Sequence, residues 1–160
     1  MMTDKIYDFR HPCGAFITNK DLDTLKPLGW VDGQIISAVL YDICVNYPDV
    51  GAQSPYLYQE LGSGTDCSKW KVSTLTKDII LVPIHSGNHW SLVVMQLSTK
   101  IMIHLDSKEN HHHTLDIGQK LSRWIDVGNW KVIKAGCPQQ VNSDDCGIFV
   151  CAFADYFARY

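Results

Sequence analysis

The residues of this chain best suited to chemistry are a glutamine and a cysteine near its end, and a histidine and an aspartate upstream of them. Gln140 precedes Cys146 by six residues, and Asp145-Cys146-Gly147 opens a long apolar run. A cysteine at the start of a helix sees the positive end of the helix dipole, which favours its thiolate. A glutamine in the preceding loop can turn its amide N–H toward an anion forming beside that sulfur. Glycine directly after the cysteine lets another group approach closely. His89, in Asn88-His89-Trp90, and Asp106, in Leu105-Asp106-Ser107, supply a base and a carboxylate to orient it. Together these are the components of a thiol hydrolase.

Each residue alone has a plainer role. Cys146 suits a buried structural thiol, His89 a turn histidine, Asp106 a strand-end cap and Gln140 an ordinary loop amide. Their combination favours catalysis. His111-His112-His113 suggests a metal at first sight. Three adjacent histidines in a loop cannot easily face one ion, and no CxxC or HxxxH accompanies them. A solvated turn ahead of a helix at Thr114 is the expectation, with adventitious metal binding as the alternative. Neither a Gly-rich phosphate loop nor a dinucleotide fingerprint is present, so no cofactor is expected.

The elements that must position these groups can be read from periodicity. From Asp32 to Tyr47, Ile35, Ile36, Val39, Leu40 and Ile43 recur at helical spacing, and Pro48 ends the helix. Residues 1–27 read as mostly irregular, and 48–78 as loops with a short helix around Tyr56 to Leu61. Ile79 to Ile84, Trp90 to Leu97 and Lys100 to Leu105 read as strands, with His85-Ser86-Gly87-Asn88 as a turn. Such short connections favour antiparallel neighbours. Thr114 to Asp126 reads as an amphipathic helix capped by Thr114. Trp130 to Lys134 is a short strand, 135–145 a loop, and Cys146 to Arg159 an apolar helix. The sum is α+β: a central, mainly antiparallel sheet with a nucleophile-bearing helix against it. His89 would start one strand and Asp106 would end the next, so antiparallel pairing brings both to one edge. The helix can deliver Cys146 there.

With 160 residues, 46% hydrophobic and 19% charged, the chain suits a single globular domain. A net charge of −3 gives no argument for nucleic-acid binding. Apolar runs such as Ile79 to Ile84 are far too short to span a bilayer. The polar N-terminus carries no secretion signal, so an intracellular, reducing location is expected and the six cysteines read as free thiols. Cys44 and Cys151 fall in apolar helical patterns and are expected in the core. Cys13, Cys67 and Cys137 fall in loops.

Four segments then carry a resemblance. Trp30-Val31-Asp32-Gly33-Gln34-Ile35-Ile36, His89-Trp90-Ser91-Leu92, Leu105-Asp106-Ser107, and Pro138-Gln139-Gln140 through Asp145-Cys146-Gly147 resemble the ubiquitin-like-protein-specific cysteine proteases, the SUMO/sentrin protease family. The resemblance covers about residues 22–159. It implies a papain-like fold and divides the chain into an N-terminal approach segment (1–21) and a catalytic domain (22–160). It makes Cys146 the nucleophile, His89 its base, Asp106 the orienting acid and Gln140 the oxyanion donor, with Gln139 the rival whose offset from Cys146 does not match. Trp30 and Trp90 match tryptophans that close over the di-glycine tail of the substrate. Flat indoles forming a tunnel admit only residues without side chains; the plainer reading of either tryptophan is core.

The implied activity is cleavage after the C-terminal Gly-Gly of a ubiquitin-like modifier, SUMO or NEDD-type, in precursor processing or deconjugation. The implied setting is a monomer of the nucleus or cytoplasm. Alternatives are a viral or effector polyprotein protease with Gly-Gly or Gly-Ala specificity, and a modifier-binding module of weak catalysis. Two departures stand out. Gly33 occupies the place of a family aspartate, which leaves the modifier's identity open. The chain also ends at Tyr160, where family domains generally continue, implying either a truncated domain or a compact member.

Overall fold

Alternating apolar side chains in the middle of the chain build a sheet that is covered on both faces. The computed structural model describes residues 9–10, 16–70, 76–109, 112–125 and 128–160. In chain order the elements are β1 (Phe9–Arg10), β2 (Phe16–Ile17), α1 (Asn19–Asp23), α2 (Gly33–Asn46), β3 (Val50–Ala52), α3 (Leu57–Gly62), a 3-10 turn (Ser68–Trp70), β4 (Ile79–Ser86), β5 (His89–Gln96), β6 (Ile101–Leu105), α4 (Thr114–Ile125), β7 (Lys131–Lys134) and α5 (Cys146–Arg159). Among the described residues the main sheet runs β3-β4-β5-β6-β7, in sequence order. Its three central strands are antiparallel as expected. Its two edges are parallel, β3 to β4 and β6 to β7. Parallel neighbours need long crossovers, and α3 and α4 lie within the two that supply them.

Strand parity divides the core. Leu81, Leu92 and Val94 pack with Ile36 and Leu40 of α2 and with Val150 and Ala154 of α5. Ile80, Val82, Ile84, Val93 and Met95 pack with Leu57 of α3 and with Leu121 and Trp124 of α4. Each such fully buried aliphatic side chain contributes roughly 1.5–3 kcal/mol of transfer free energy. A one-residue slip in β5 would exchange the two faces, so the register that places His89 is strongly specified. The β4–β5 turn reinforces it. Gly87 and Asn88 both adopt left-handed backbone, φ 58° and 59°, in a two-residue loop pairing Ser86 with His89. Two successive left-handed residues match the twist of antiparallel strands, and glycine and asparagine reach that region at least cost.

Several local expectations change. The segment before residue 27 contains β2 and α1, and Ile17 is buried in the same core as α2 and α5. A capping box starts α1: the Thr18 hydroxyl accepts from Asp21 N, and the Asp21 carboxylate accepts from Thr18 N. Strand β3 lies in the stretch read as loops; three residues including a glycine give no alternation to detect. Thr114 is the first residue of α4 rather than its cap, and its hydroxyl meets His104 Nδ1 at 2.8 Å. Cys44 and Cys151 are partly buried against the core, whereas the loop residue Cys67 is 3% exposed. Cys13 and His111 lie outside the described residues. Among the described residues no helix is long and apolar enough to cross a membrane.

Asp32 caps α2 by accepting from Ile35 N at 3.1 Å, and its carboxyl is hydrogen-bonded to that of Asp21. Burial first, and the Asp21 carboxyl second, push Asp32 up to about 6, while Asp21 is lowered by that same contact. A raised carboxyl stabilises the fold while it is protonated, and that contribution is lost as pH rises through about 6. Asp32→Asn keeps a capping oxygen and permanently supplies the hydrogen that the carboxyl pair shares. The variant should melt at the wild-type temperature near pH 3, below the ordinary carboxylate value, and a few degrees above it at pH 8. Equal melting curves at both pH values would mean that the two carboxyls do not share a proton.

Candidate active site

The end of one strand, the start of the next and the first turn of a helix meet at a single point. His89 opens β5, and Asp106 directly follows β6, whose Leu105 pairs with Leu92. His89 Nε2 donates to Asp106 Oδ1 at 2.6 Å, with both side chains almost fully buried. Backbone donors complete the carboxylate: Lys108 N to Oδ1 at 3.0 Å and His112 N to Oδ2 at 3.1 Å. Cys146, the first residue of α5, is 3% exposed and hydrogen-bonds His89. Because Nε2 serves Asp106, the other ring nitrogen, Nδ1, serves the sulfur. The backbone N–H groups of Trp90 and Gly147 also point at that sulfur.

Burial opposes every charge here, and specific contacts overturn it. For Cys146, burial alone would raise the thiol; the His89 ring and the Trp90 and Gly147 amides bring it below its ordinary value. For His89, burial would lower the imidazolium; Asp106 and Cys146 outweigh it and raise the ring to about 9. Asp106 ends below the usual carboxylate range, since its hydrogen bonds from His89, Lys108 and His112 exceed its burial penalty. Each of the other described cysteines moves the opposite way. Burial is the main cause of a raised thiol at Cys44, Cys67 and Cys137, and at Cys151, which reaches about 11. Cys146 is the single described thiol poised for a thiolate.

The loop before α5 is tied both to the end of β6 and to the start of the helix. Gln140 N donates to Ser107 O at 2.8 Å, and Ser107 Oγ donates to Gln140 Oε1 at 2.6 Å. Gln140 Nε2 donates to Asn142 O at 2.7 Å. Asn142 then accepts from both Asp144 N and Asp145 N at 3.1 Å, forming the turn that leads into Cys146. Asp145 contributes no side-chain cap to α5; its carboxylate accepts from Asn142 Nδ2 instead. The Gly147 amide in the first turn of the helix is thereby left to the sulfur. Gln139 has a different task. Its amide donates to Asp106 O at 2.9 Å and accepts from Glu109 N at 2.8 Å, strapping the loop to the residues after β6.

The two tryptophans differ. Trp30 is half-exposed on the loop before α2, whereas Trp90 is 6% exposed, with His85 stacked on it at 4.3 Å between ring centroids. Gly147 faces the Trp30 loop: a Cβ there would lie 2.9 Å from Val31 Cβ, so only glycine permits this approach. At Gly33, a Cβ would lie 2.7 Å from the Tyr56 hydroxyl. Tyr56 fills the space that an aspartate side chain would need.

Sequence reasoning missed the residues behind this centre. His112 is buried, not in a solvated turn: its Nδ1 meets Ser91 Oγ at 2.6 Å and its Nε2 donates to Ser86 O at 2.9 Å. Its neighbour His113 is exposed. The signal was an uninterrupted histidine triplet, which hides that one member turns inward. His104, wholly buried, joins from β6 with Nε2 2.9 Å from Ser91 Oγ. His89, Asp106 and His112 offer donor atoms within 4.8 Å of one another, so the group resembles a metal site in outline. Each of the three side chains already has hydrogen-bond partners.

The profile of the Ulp1 protease family, C-terminal catalytic domain, matches residues 58–160. Sentrin-specific protease 2 of Homo sapiens is 33% identical over 165 residues, covering 89% of this chain and 28% of that protein. Sentrin-specific protease of Caenorhabditis elegans is 29% identical over 164 residues, covering 89% and 24% respectively. The chain therefore spans about a quarter of the length of the curated relatives it matches. Among solved structures, the C-terminal Ulp1 protease domain in complex with Smt3, the yeast ortholog of SUMO, superposes with a TM-score of 0.84 at 25% identity. It covers 99% of this chain and 79% of that one. The fold is thus the papain-like α+β arrangement implied by the sequence motifs.

The electrostatics predict a pattern of reactivity. At pH 7, iodoacetamide should modify Cys146 ahead of Cys44, Cys67, Cys137 and Cys151, as read by peptide mass spectrometry. The thiolate–imidazolium pair spans the interval from the lowered thiol up to about 9, where His89 loses its proton. Asp106→Asn should weaken the imidazolium and narrow that interval by about one pH unit, read from the pH profile of Cys146 alkylation. An unchanged profile would mean that Asp106 does not act through His89.

Proposed function

Because the chain belongs to the Ulp1 protease family, we propose that it is a cysteine peptidase acting after the C-terminal Gly-Gly of a ubiquitin-like modifier. The modifier we favour is SUMO, with precursor processing or removal from a lysine side chain as the reaction. The observation that carries this reading is the selective lowering of Cys146 among the described thiols, beside the buried His89–Asp106 pair. The company of relatives named as sentrin-specific proteases, and of a solved Ulp1 domain bound to Smt3, supports the choice of modifier.

In the proposed reaction the Cys146 thiolate attacks the terminal glycine carbonyl carbon, and the carbonyl oxygen becomes an oxyanion. The Cys146 backbone N–H and the Gln140 side chain stabilise that charge. The Gln140 amide group carries two hydrogens; one is engaged by Asn142 O, and the other is assigned to the oxyanion. The His89 imidazolium then protonates the departing lysine amine as the C–N bond breaks, leaving a thioester. Water, deprotonated by His89, attacks the thioester, and the proton returns to the Cys146–His89 pair as the modifier's carboxylate leaves. Asp106 keeps the imidazole oriented and supports its positive charge. No cofactor takes part. A free Cys146 thiol suits the reducing nuclear or cytoplasmic interior.

Trp30 is the exposed wall proposed to cover the di-glycine tail. Trp90 would form the opposing wall, its indole backed by His85. A methyl group on the last residue has no room between indoles, so Gly-Gly precursors should be cut far faster than Gly-Ala ones.

A modifier carrying a C-terminal vinyl sulfone tests the reading. Wild-type protein should form a covalent adduct at Cys146, and Cys146→Ser should form none while keeping its fold. Binding without an adduct would favour a modifier-binding module. Equal cleavage of Gly-Gly and Gly-Ala precursors would favour a polyprotein protease. Gln140→Ala should lower kcat by roughly 10²–10³ with little change in KM, the usual loss for one preorganised donor. A change confined to KM would move Gln140 from the oxyanion to modifier binding.

A further inference from the structure

The Asp106 carboxylate is fixed from two directions. Oδ1 accepts from His89 Nε2 and Lys108 N, and Oδ2 accepts from His112 N. The last contact prevents rotation of the carboxylate about its own bond, and it comes from a residue six positions along the chain. What holds that amide in place is the side chain of His112 itself. Its ring bridges the two strands of the β4–β5 hairpin, bonding Ser86 O through Nε2 and Ser91 Oγ through Nδ1. It also meets the His89 ring edge-on, with 4.8 Å between centroids.

The hydrogens in this network form one directed chain. A carbonyl oxygen can only accept, so His112 Nε2 carries a hydrogen toward Ser86. With the ring neutral, Nδ1 must accept, and Ser91 donates its one hydroxyl hydrogen to it. Ser91 Oγ then accepts from His104 Nε2 at 2.9 Å, and His104 Nδ1 accepts from the Thr114 hydroxyl at 2.8 Å. Burial holds His104 down at about 4, so its ring is neutral and can play both roles. The chain starts at Thr114 of α4, crosses β6 and β5, and ends at the turn beside His89. His104, Ser91 and His112 are 0%, 1% and 8% exposed. Buried polar side chains of this kind cost stability relative to apolar packing unless every partner is in place. A chain that is satisfied from end to end, and that fixes the residue whose backbone N–H holds the Asp106 carboxylate, does more than fill space.

We propose that His112 is a positioning residue for Asp106, and that Ser91, His104 and Thr114 form the hydrogen-bonded chain that sets its ring and tautomer. His112 acts through Asp106 and touches no substrate. The arrangement parallels the way outer partners orient ligating histidines in metal sites, with a carboxylate in place of a metal ligand. The proposal rests on the Cys146–His89–Asp106 centre being catalytic, but its test does not require cleavage of any modifier. Ionisable groups around His112 are His89, Asp106 and His104 within the network, and Tyr58, His113, Asp116, Lys120 and Arg123, which line a cavity of about 290 Å³ beside it.

The test follows the titration of His89 by long-range proton–nitrogen correlation spectra of the histidine rings, together with the pH profile of Cys146 alkylation. Ser91→Ala removes the Nδ1 partner with a small change in a buried strand, and His112→Ala removes the whole ring. Each should lower the His89 midpoint from about 9 by about one pH unit and narrow the thiolate–imidazolium interval of the alkylation profile by the same amount. His112→Asn, whose amide oxygen can still accept from Ser91, should recover part of that loss. Thr114→Val, at the far end of the chain, should shift the midpoint less than Ser91→Ala. Should His112→Ala fail to fold, Ser91→Ala decides the matter alone. A folded Ser91→Ala variant with a lowered melting temperature but an unmoved His89 titration would overturn the proposal and leave the network a purely structural one. Loss of modifier cleavage in the wild type, with these shifts still present, would count against the proposed substrate and not against the role of His112.

Discussion

A charge must be held where water cannot help it, and the rest of the molecule is arranged around that need. The His89–Asp106 contact, at 2.6 Å between nearly inaccessible side chains, places an imidazolium and a carboxylate inside the protein. Removing one partner from such a pair typically costs about 3–5 kcal/mol, because the remaining charge is stranded. The protein meets the cost by surrounding the carboxylate with amide donors and by setting a thiolate against the far side of the ring. The three groups form a line of alternating charge, carboxylate, imidazolium and thiolate, in which each member stabilises its neighbour.

This line requires elements from three parts of the chain to arrive within hydrogen-bonding distance of one another. The antiparallel centre of the sheet does most of this. A tight hairpin fixes where β5 begins, and the β5–β6 ladder fixes where β6 ends. Helix α5 is held against β5 by Val150 and Ala154, with α2 packed on the same side. The helix starts without a side-chain cap, an omission that ordinarily costs about 1 kcal/mol. Here the missing acceptor is replaced by sulfur. The helix is completed by the group whose charge it is needed to stabilise.

Much of this was legible in the sequence, for definite reasons. The helix from Gly33 and the strands β4, β5 and β6 are long and strongly periodic, and Pro48 and Gly87-Asn88 punctuate them clearly. Cys146, His89, Asp106 and Gln140 stand in local contexts that point to chemistry, and the order of the strands is enough to bring His89 and Asp106 together. Strand β7 was read as a strand, but its parallel pairing with β6 was not, and β3 was missed altogether, because the edge strands' neighbours in the sheet are distant in sequence. The capping box of α1 uses aspartate where glutamate is the commoner signal. The inward turn of His112 could not be seen, because adjacent identical residues carry no information about which one a loop will bury. Nor does Trp90 announce that its ring lies under His85, since a tryptophan beside a presumed base reads equally well as an open wall.

Val31 and Gly147 approach so closely that even a methyl group would not fit between them. Val31 directly follows the exposed Trp30, and Gly147 directly follows Cys146. The surface proposed to meet an incoming chain and the sulfur proposed to react with it are therefore separated by one peptide unit, a missing side chain and another peptide unit. A joint of this kind has no slack. Incompressible packing passes a displacement of a few tenths of an ångström on one side directly to the other. A push on the Trp30 loop would therefore be passed to the first turn of α5, where the sulfur sits. In the proposed peptidase, occupancy and reactivity would then be two readings of one mechanical coordinate.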